Sequence, residues 1–423
     1  MNVIFKHERT TYMAQKYPFS MWVYNPLCDF TPDEVSLWHD CGFTHPELPR
    51  VYSNSEAAAL IPFLDEAQKR GIKVIANFAN LAIPRFQEIS ECILVKDGSE
   101  AYEKEFREVY EIIGSHPALH GFYVADEPAR PQFFSLVNEC YRIQKKVAPE
   151  LHPFVNLRGE TPAFDKSEFS GKTYEEWMAY LGNELGISFV TLDLYGPMIN
   201  DNLMPSYFRS IKGAVETSLK VNGPDIWANL LSSAHYAYHV PSESEYRWMV
   251  NSSAALGCRG AMWFRFYDRL EGHEYYGSPI DEFGEKSPTY YYMQHAQKLF
   301  SAHYGELLMS LRFKCAFHLG TDYKAYPVFG EGSHPLIGMA SFDDGIVSFF
   351  EDSEGTEYLC LVNMHRDRYG SFRIFYDEEK CKVYEVYMNG KRSVYFPPTD
   401  PAEEWADFNM YAGSMRMFKI ENL

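Results

Sequence analysis

The sequence predicts an α/β chain in two parts: a TIM (β/α)8 barrel over residues 1–305, then an all-β C-terminal sandwich domain over residues 306–423. Three observations lead there. Eight strand-like segments alternate with amphipathic helical ones over roughly 300 residues, more strands than a doubly wound open sheet usually needs. After Gly305 the helical period gives way to short β-branched and aromatic runs separated by turns. The 423 residues also exceed the length at which one hydrophobic core stops growing, so a large and a smaller domain are expected.

The elements follow in order. SMWVYN is the first strand; Thr31-Pro32-Asp33-Glu34 then has the form of a capping box with proline at the first helical position, and Gly42 ends that helix. GFTHPEL is the second strand. Leu60, Phe63, Leu64 and Ala67 share one helical face, Gly71 stops the helix, and IKVIANF is the third strand. Tyr102, Phe106, Val109, Tyr110 and Ile113 mark a helix closed by Gly114, and LHGFYVADEP is the fourth strand. A helix over Phe133–Val147 leads to HPFVNL, Thr173-Tyr174-Glu175-Glu176 caps the next helix, and ISFVTLDLYG is the sixth strand. Phe208, Ile211 and Val215 mark a helix before DIWANLL. A third such box, Ser242-Glu243-Ser244-Glu245, opens the helix that precedes RGAMWFRFY, the eighth strand, and a helix near Thr289–Tyr304 completes the barrel. IVSFF, YLCLVN, SFRIFY, KVYEVYM, KRSVYF and SMRMFKI are the strands of the sandwich, with Asn389-Gly390 a two-residue hairpin signal.

Composition excludes several function classes. Fifty-eight acidic against 39 basic residues leave a charge of -19, which repels phosphate backbones and anionic lipid, so neither nucleic acid nor a membrane is an expected partner. No apolar run reaches membrane-spanning length. MNVIFKHERTTYMAQKYPFS has no leader-like apolar core, and the expected location is the cytoplasm, a secreted chain shorn of its leader reading the same way. The eight cysteines are scattered without CxxC spacing, as small buried residues would be. Asn251-Ser252-Ser253 is a sequon inside a helix. Oligomeric state is not legible.

A TIM barrel carries its chemistry at the C-terminal ends of its strands, so the strand tips form a ring of candidates. They are Tyr24 and Asn25; His45 and Glu47; Asn77 and Asn80; Asp126 and Glu127; Asn156, Arg158 and Glu160; Asp193 and Tyr195; Asn229, Ser232 and His235; Trp263, Arg265, Tyr267 and Asp268. Amides and carboxylates exchange hydrogen bonds with hydroxyls, and flat rings such as Trp263, Tyr195 or Tyr24 pack on the apolar face of a pyranose. That chemistry suits a carbohydrate, although packing is the commoner job of any one aromatic.

Glu127 stands out. It follows an apolar strand and precedes Pro128, which ends the ladder and favours extended backbone before it. Burial and the neighbouring Asp126 would raise its pKa, as a general acid requires. The plainer alternative is an acid at the start of the next helix, with Pro128 an early helical residue.

HPALHGFYVADEP, DLYGP and SSAALGCRGAMWFRFY before a β-sandwich together resemble the clan-A-type (β/α)8 glycoside hydrolases, especially the β-galactosidase-like members with appended β-domains. The resemblance implies a glutamate acid/base at the tip of strand four, here Glu127. It also implies a glutamate nucleophile at the tip of strand seven. WANLLSSAHYAYH has no acid between Asp225 and Glu243, and Asp126 stands where the clan usually has asparagine. Asp193 is the leading second carboxylate, ahead of Asp268, Glu160 and Asp126. The expectation is a glycoside hydrolase with Glu127 as general acid and Asp193 as base or nucleophile, acting without cofactor or metal on a carbohydrate substrate. Tyr24, Asn25, His45, Asn77, Asp126, Asn156, Arg158, Tyr195, Asn229, Trp263, Arg265 and Asp268 are its expected substrate contacts. The alternative is a carbohydrate-binding protein on a hydrolase-derived barrel that has lost its nucleophile.

Other signals are weak. His235 and His239 have helical metal-ligand spacing, but Pro241 and the intervening Tyr-Ala-Tyr suggest a loop without a third ligand. GEGSHPLIG opens no helix and reads as a turn. No nucleotide fingerprint and no GxSxG elbow occurs.

Overall fold

The computed structural model describes residues 15–83, 92–268, 275–399 and 404–423. Residues 1–14, part of the stretch read for a leader, lie outside them. Seven parallel strands form one curled sheet: β1 (Phe19–Met21), β2 (Val74–Ala76), β3 (Leu119–Asp126), β4 (Phe154–Leu157), β5 (Phe189–Asp193), β6 (Asp225–Leu231) and β7 (Ala261–Phe264), in the order β1-β7-β6-β5-β4-β3-β2.

The segment expected as a second strand joins the two edges of this sheet. Backbone N–H groups of Thr44 and His45 donate to Phe19 O at 3.0 and 2.9 Å, and that of Leu48 donates to Ile75 O at 2.8 Å. The N–H of Val51 continues to Asn77 O at 3.0 Å. Residues 44–51 thus act as the eighth stave and close the barrel, but as isolated bridges rather than the expected ladder. Pro46 and Pro49 explain the difference, because each removes a backbone donor.

Trp22, Ile75, Phe154, Phe189, Trp227 and Met262, from six staves, pack together inside the barrel. The Phe189 and Trp227 rings stack at 3.9 Å. Gly121 permits the close approach of β3 to the chain entering β4, since a Cβ there would lie 1.9 Å from His152 O.

The outer layer comprises α1 (Glu34–Cys41), α2 (Ile61–Arg70), α3 (Ile93–Asp97), α4 (Ser99–Val109), α5 (Pro131–Val147), α6 (Tyr174–Ala179), α7 (Met204–Val221), α8 (Glu243–Ala255) and α9 (Pro288–Phe300). Gly42 and Gly71 cap α1 and α2 at φ of 105° and 65°, a left-handed geometry that glycine adopts cheaply. The boxes at Thr173/Glu176 and Ser242/Glu245 form at α6 and α8. The one expected at Thr31/Glu34 does not: α1 has no side-chain cap, and the Glu34 carboxylate accepts the Tyr267 hydroxyl at 2.8 Å instead.

Beyond the barrel lie β8 (Arg312–Leu319), β9 (Gly338–Ser341), β10 (Gly345–Glu351), β11 (Glu357–Asn363), β12 (Gly370–Phe375), β13 (Cys381–Tyr387), β14 (Arg392–Tyr395), β15 (Trp405–Met410) and β16 (Met415–Asn422). They form a six-stranded antiparallel sheet, β14-β13-β16-β11-β10-β8, and a three-stranded one, β15-β12-β9. Strand alternation buries both faces of the larger sheet along its central strands. Tyr358, Cys360, Val362, Met415 and Met417 join the barrel core, while Leu359, Leu361, Phe418 and Ile420 meet the smaller sheet. Asn389-Gly390 is not a two-residue hairpin: Tyr387 pairs with Arg392, leaving residues 388–391 in the loop. Asn389 Oδ1 accepts from the N–H of Glu306 at 3.0 Å, and its Nδ2 donates to Ser301 O at 2.8 Å, tying the loop to the chain beyond α9. Asn251 of the sequon is buried on α8 and donates to Gly413 O at 2.9 Å. Among the described residues no helix is long and apolar enough to cross a membrane.

Candidate active site

The carboxyl ends of β3, β4, β5 and β6 converge. Immediately after β3, the N–H of Glu127 donates to Asn156 O at 2.9 Å. Its backbone is not extended as Pro128 suggests but takes a φ of 43°. For a residue with a Cβ this costs about 1–3 kcal/mol, and such strain gathers at functional positions. Helix α5 begins only at Pro131, with Arg130 as its N-cap and no acid in its first turn. Asp126 and Glu127 are therefore not helix-start acids.

Asn156 is the hub of the network. Its Nδ2 donates to Asp126 Oδ1 and to Asp193 Oδ1, both at 2.9 Å, while its Oδ1 accepts the Thr191 hydroxyl at 2.6 Å. Asn229 Nδ2 donates to Asp193 Oδ1 at 2.7 Å. The Asp193 carboxyl is hydrogen-bonded to that of Glu127. Burial pushes Asp193 well above the usual carboxylate range, the Glu127 bond and the Glu127 and Asp126 charges push it further, and Asn156 pulls the other way. Asp193 therefore keeps its proton to higher pH than an ordinary aspartate does. Burial first, then the nearby carboxylates, raises the Tyr24 and Tyr195 hydroxyls, so both stay protonated donors.

Two chambers meet at this pair. The larger, of about 870 Å³, is bordered by strand tips and by the Tyr24, Tyr123 and Phe264 rings. The smaller, of about 520 Å³, lies against Arg158, Glu160 and the start of α7. Glu127, Asp193, Tyr195 and Tyr238 line both.

No family model and no curated protein matches the sequence. By structure, the chain is similar to a family 39 glycoside hydrolase from the gut symbiont Bacteroides cellulosilyticus, with 13% identity, 96% of this chain and 81% of that chain covered, and a TM-score of 0.54. It is similar also to a family 5 glycoside hydrolase from Bacteroides vulgatus, at 11% identity, with 96% and 89% covered and a TM-score of 0.55. A third, described as a glycoside hydrolase, has 10% identity, 96% and 92% coverage and a TM-score of 0.56. The fold shared with these structures is a (β/α)8 barrel with an appended β-sandwich.

On that fold, the residues expected at the site divide. Tyr24, Asp126, Glu127, Asn156, Asp193, Tyr195 and Arg265 border the larger chamber, and Arg158 the smaller. Asn229 reaches the acids through Asp193. The others line neither chamber. Asn25 accepts the Arg50 N–H through its carbonyl at 3.1 Å. His45 packs edge-on against His120 with ring centroids 4.6 Å apart, near the N-terminal ends of β1 and β3. Asn77 is buried and donates to Glu47 Oε1 at 3.1 Å. Trp263 is buried against Tyr246 of α8, pointing out of the barrel. Asp268 accepts from Ser278 and stands 4.0 Å from Arg265.

Several chamber residues escaped the strand-tip rule. Arg50 enters because the eighth stave runs further than GFTHPEL, and Tyr123 because it faces inward three residues before the tip. Tyr236 and Tyr238 belong to the loop after β6, where the histidines alone drew notice; Tyr236 is 77% exposed with a φ of 50°. Glu47 sits wholly buried inside the barrel, accepting from the Val23 N–H at 2.7 Å, and burial pushes its pKa up to about 8.

Proposed function

We propose that the protein is a glycoside hydrolase cleaving O-glycosidic bonds of an oligosaccharide or glycoside, with Glu127 and Asp193 as its two carboxyls. The observation that carries this is the hydrogen-bonded acid pair at the barrel mouth, between two chambers. A carboxyl that keeps its proton beside a second carboxyl offers an acid and a base together. The carboxyl holding the proton gives it to the leaving glycosidic oxygen, and the other attacks the anomeric carbon or draws a proton from water. Sequence alone favours Glu127 as donor; the raised Asp193 favours the proton starting there. Double displacement uses carboxyls about 5–5.5 Å apart and inversion about 6.5–9.5 Å, so a pair in contact lies nearer the retaining arrangement. Substrate entry has to part them. Asn156 and Arg265 suit sugar hydroxyls, Tyr24 and Tyr195 a sugar face, Asn229 holds Asp193, and both steps use protons and carboxyls alone.

The test is a panel of aryl glycosides and β-linked oligosaccharides, with wild type beside Glu127→Gln and Asp193→Asn. Turnover that falls about 10²- to 10⁴-fold in each variant supports the assignment. Full activity in Glu127→Gln overturns it. Asn229 in place of a strand-seven acid favours a second reading, a carbohydrate-binding protein without catalysis, and binding without turnover across the panel would select it.

A further inference from the structure

We infer that the smaller chamber is the leaving-group site for a sugar and that Arg366, from the C-terminal sandwich, holds its wall in place; this rests on the hydrolase reading. A glycosidic bond lying at Glu127 and Asp193 has one side in each chamber, because both acids line both. The larger chamber is built on strand tips, rigid elements that suit the ring undergoing reaction. The smaller is built on the connection after β5 and the first turns of α7. Arg158, Glu160, Ser206, Ser210 and Tyr238 make its lining rich in donors and acceptors, which matches a hydroxyl-bearing leaving group better than an apolar one.

Its far wall, Gly196 and Leu203, belongs to the connection between β5 and α7. That stretch is held from outside. Arg366 Nη1 donates to Pro197 O at 3.0 Å and to Glu245 Oε1 at 3.2 Å, and Nη2 pairs with Asp201. The guanidinium lies over the Trp248 ring at 5.5 Å, and the side chain is 16% exposed. Glu245 is also the acid of the α8 capping box and accepts from His239 at 2.9 Å. One planar fork therefore fixes the connection, the start of α8 and the sandwich loop to one another, a task a lysine point charge performs poorly. Arg366 does not line the chamber; it is a positioning residue.

The experiment compares gluco-, galacto-, manno- and xylo-configured β-disaccharides with the matching glycosyl fluorides, whose leaving group has no sugar for the second chamber. Arg366→Ala is expected to lower kcat/KM on the disaccharide about 10- to 100-fold, mainly through KM, and to lower it far less on the fluoride. Arg366→Lys should recover part of the loss. Leu203→Trp, which fills the chamber without touching the clamp, should reproduce the disaccharide-selective loss even where Arg366→Ala folds poorly. Equal loss on both probes in Leu203→Trp, or no loss on either, overturns the inference. If wild type turns over no probe, the hydrolase reading fails, and calorimetric titration with the same disaccharides and their monosaccharides decides the chamber. Tighter binding of a disaccharide than of its monosaccharide, lost in Leu203→Trp, keeps it as a sugar site; no such advantage removes it.

Discussion

Asn229 Nδ2 lies 2.7 Å from Asp193 Oδ1, so the strand on which the resemblance places a carboxylate carries an amide that donates to the acid of the neighbouring strand. An amide donor favours the ionised form of the carboxyl it touches. Removing it in Asn229→Ala should move the titration of Asp193 to still higher pH. The pH–rate profile on a turned-over glycoside reads this as an alkaline limb displaced upward; an unmoved limb would mean that the amide does not tune the pair.

Stability should fall as pH rises from 6.5 towards 8. Glu47 holds its proton to about pH 8 when folded but releases it near its ordinary value of 4.5 when unfolded, so the unfolded state gains on the folded one across that interval. Asp193 has the same sign. The thermal midpoint followed between pH 6.5 and 8 should decline in wild type and decline less in Glu47→Gln, which keeps an acceptor for the Val23 N–H.

As pH falls from about 6.5 towards 3 a second loss should appear. Burial lowers the His45, His120 and His152 rings, His45 to about 3, while the unfolded imidazoles protonate near 6.5. Their contribution is complete above that value and drains away as the pH drops. His120→Gln should blunt the acid limb of the same melting series, and an unchanged limb would assign the loss to other groups.

Trp263 and Tyr238 should separate packing from binding. Trp263→Ala removes a buried ring from the contact with Tyr246 and should cost about 3–5 kcal/mol of stability. At a temperature where both proteins are folded, KM should not move. Tyr238→Ala, on the wall common to both chambers, should raise KM about tenfold, the equivalent of 1.4 kcal/mol, with a small change in melting.

Gly121→Ala should be among the most damaging single-methyl changes in the chain. The added carbon meets a backbone carbonyl, not a side chain that can turn away, so about 3 kcal/mol or more of destabilisation is expected by denaturant titration. A midpoint close to wild type would show that β3 and the chain entering β4 can separate.

The barrel was legible because its signals are local: apolar periodicity, stop glycines and two capping boxes that form as spelled. The second strand was legible in place but not in kind, since its prolines deny it a ladder. In the sandwich, β8, β9 and β15 were missed because charged or polar residues interrupt RFKCAFHL and WADFNM and because GMAS is short. Around the candidate site, the tip rule pointed to Glu127, Asp193, Asn156 and Asn229, whose side chains form one hydrogen-bonded network, but could not say which way a side chain turns. Trp263 and Asn229 sit on neighbouring strands near the same level, and one faces the helices while the other faces the acids. Loop residues such as Tyr236 and Tyr238 carry no spacing rule at all.

The central strands of the six-stranded sheet are covered on both sides. With Cys360, Val362 and Met417 committed to the barrel side and Leu359, Leu361 and Phe418 to the other, the change of texture after Gly305 marks a boundary in sequence but not a seam for dissection. Cutting the chain there would strip an apolar wall from α8 and release the loop that carries Arg366. The two halves are better regarded as one cooperative unit whose melting, proteolysis and engineering have to be approached whole.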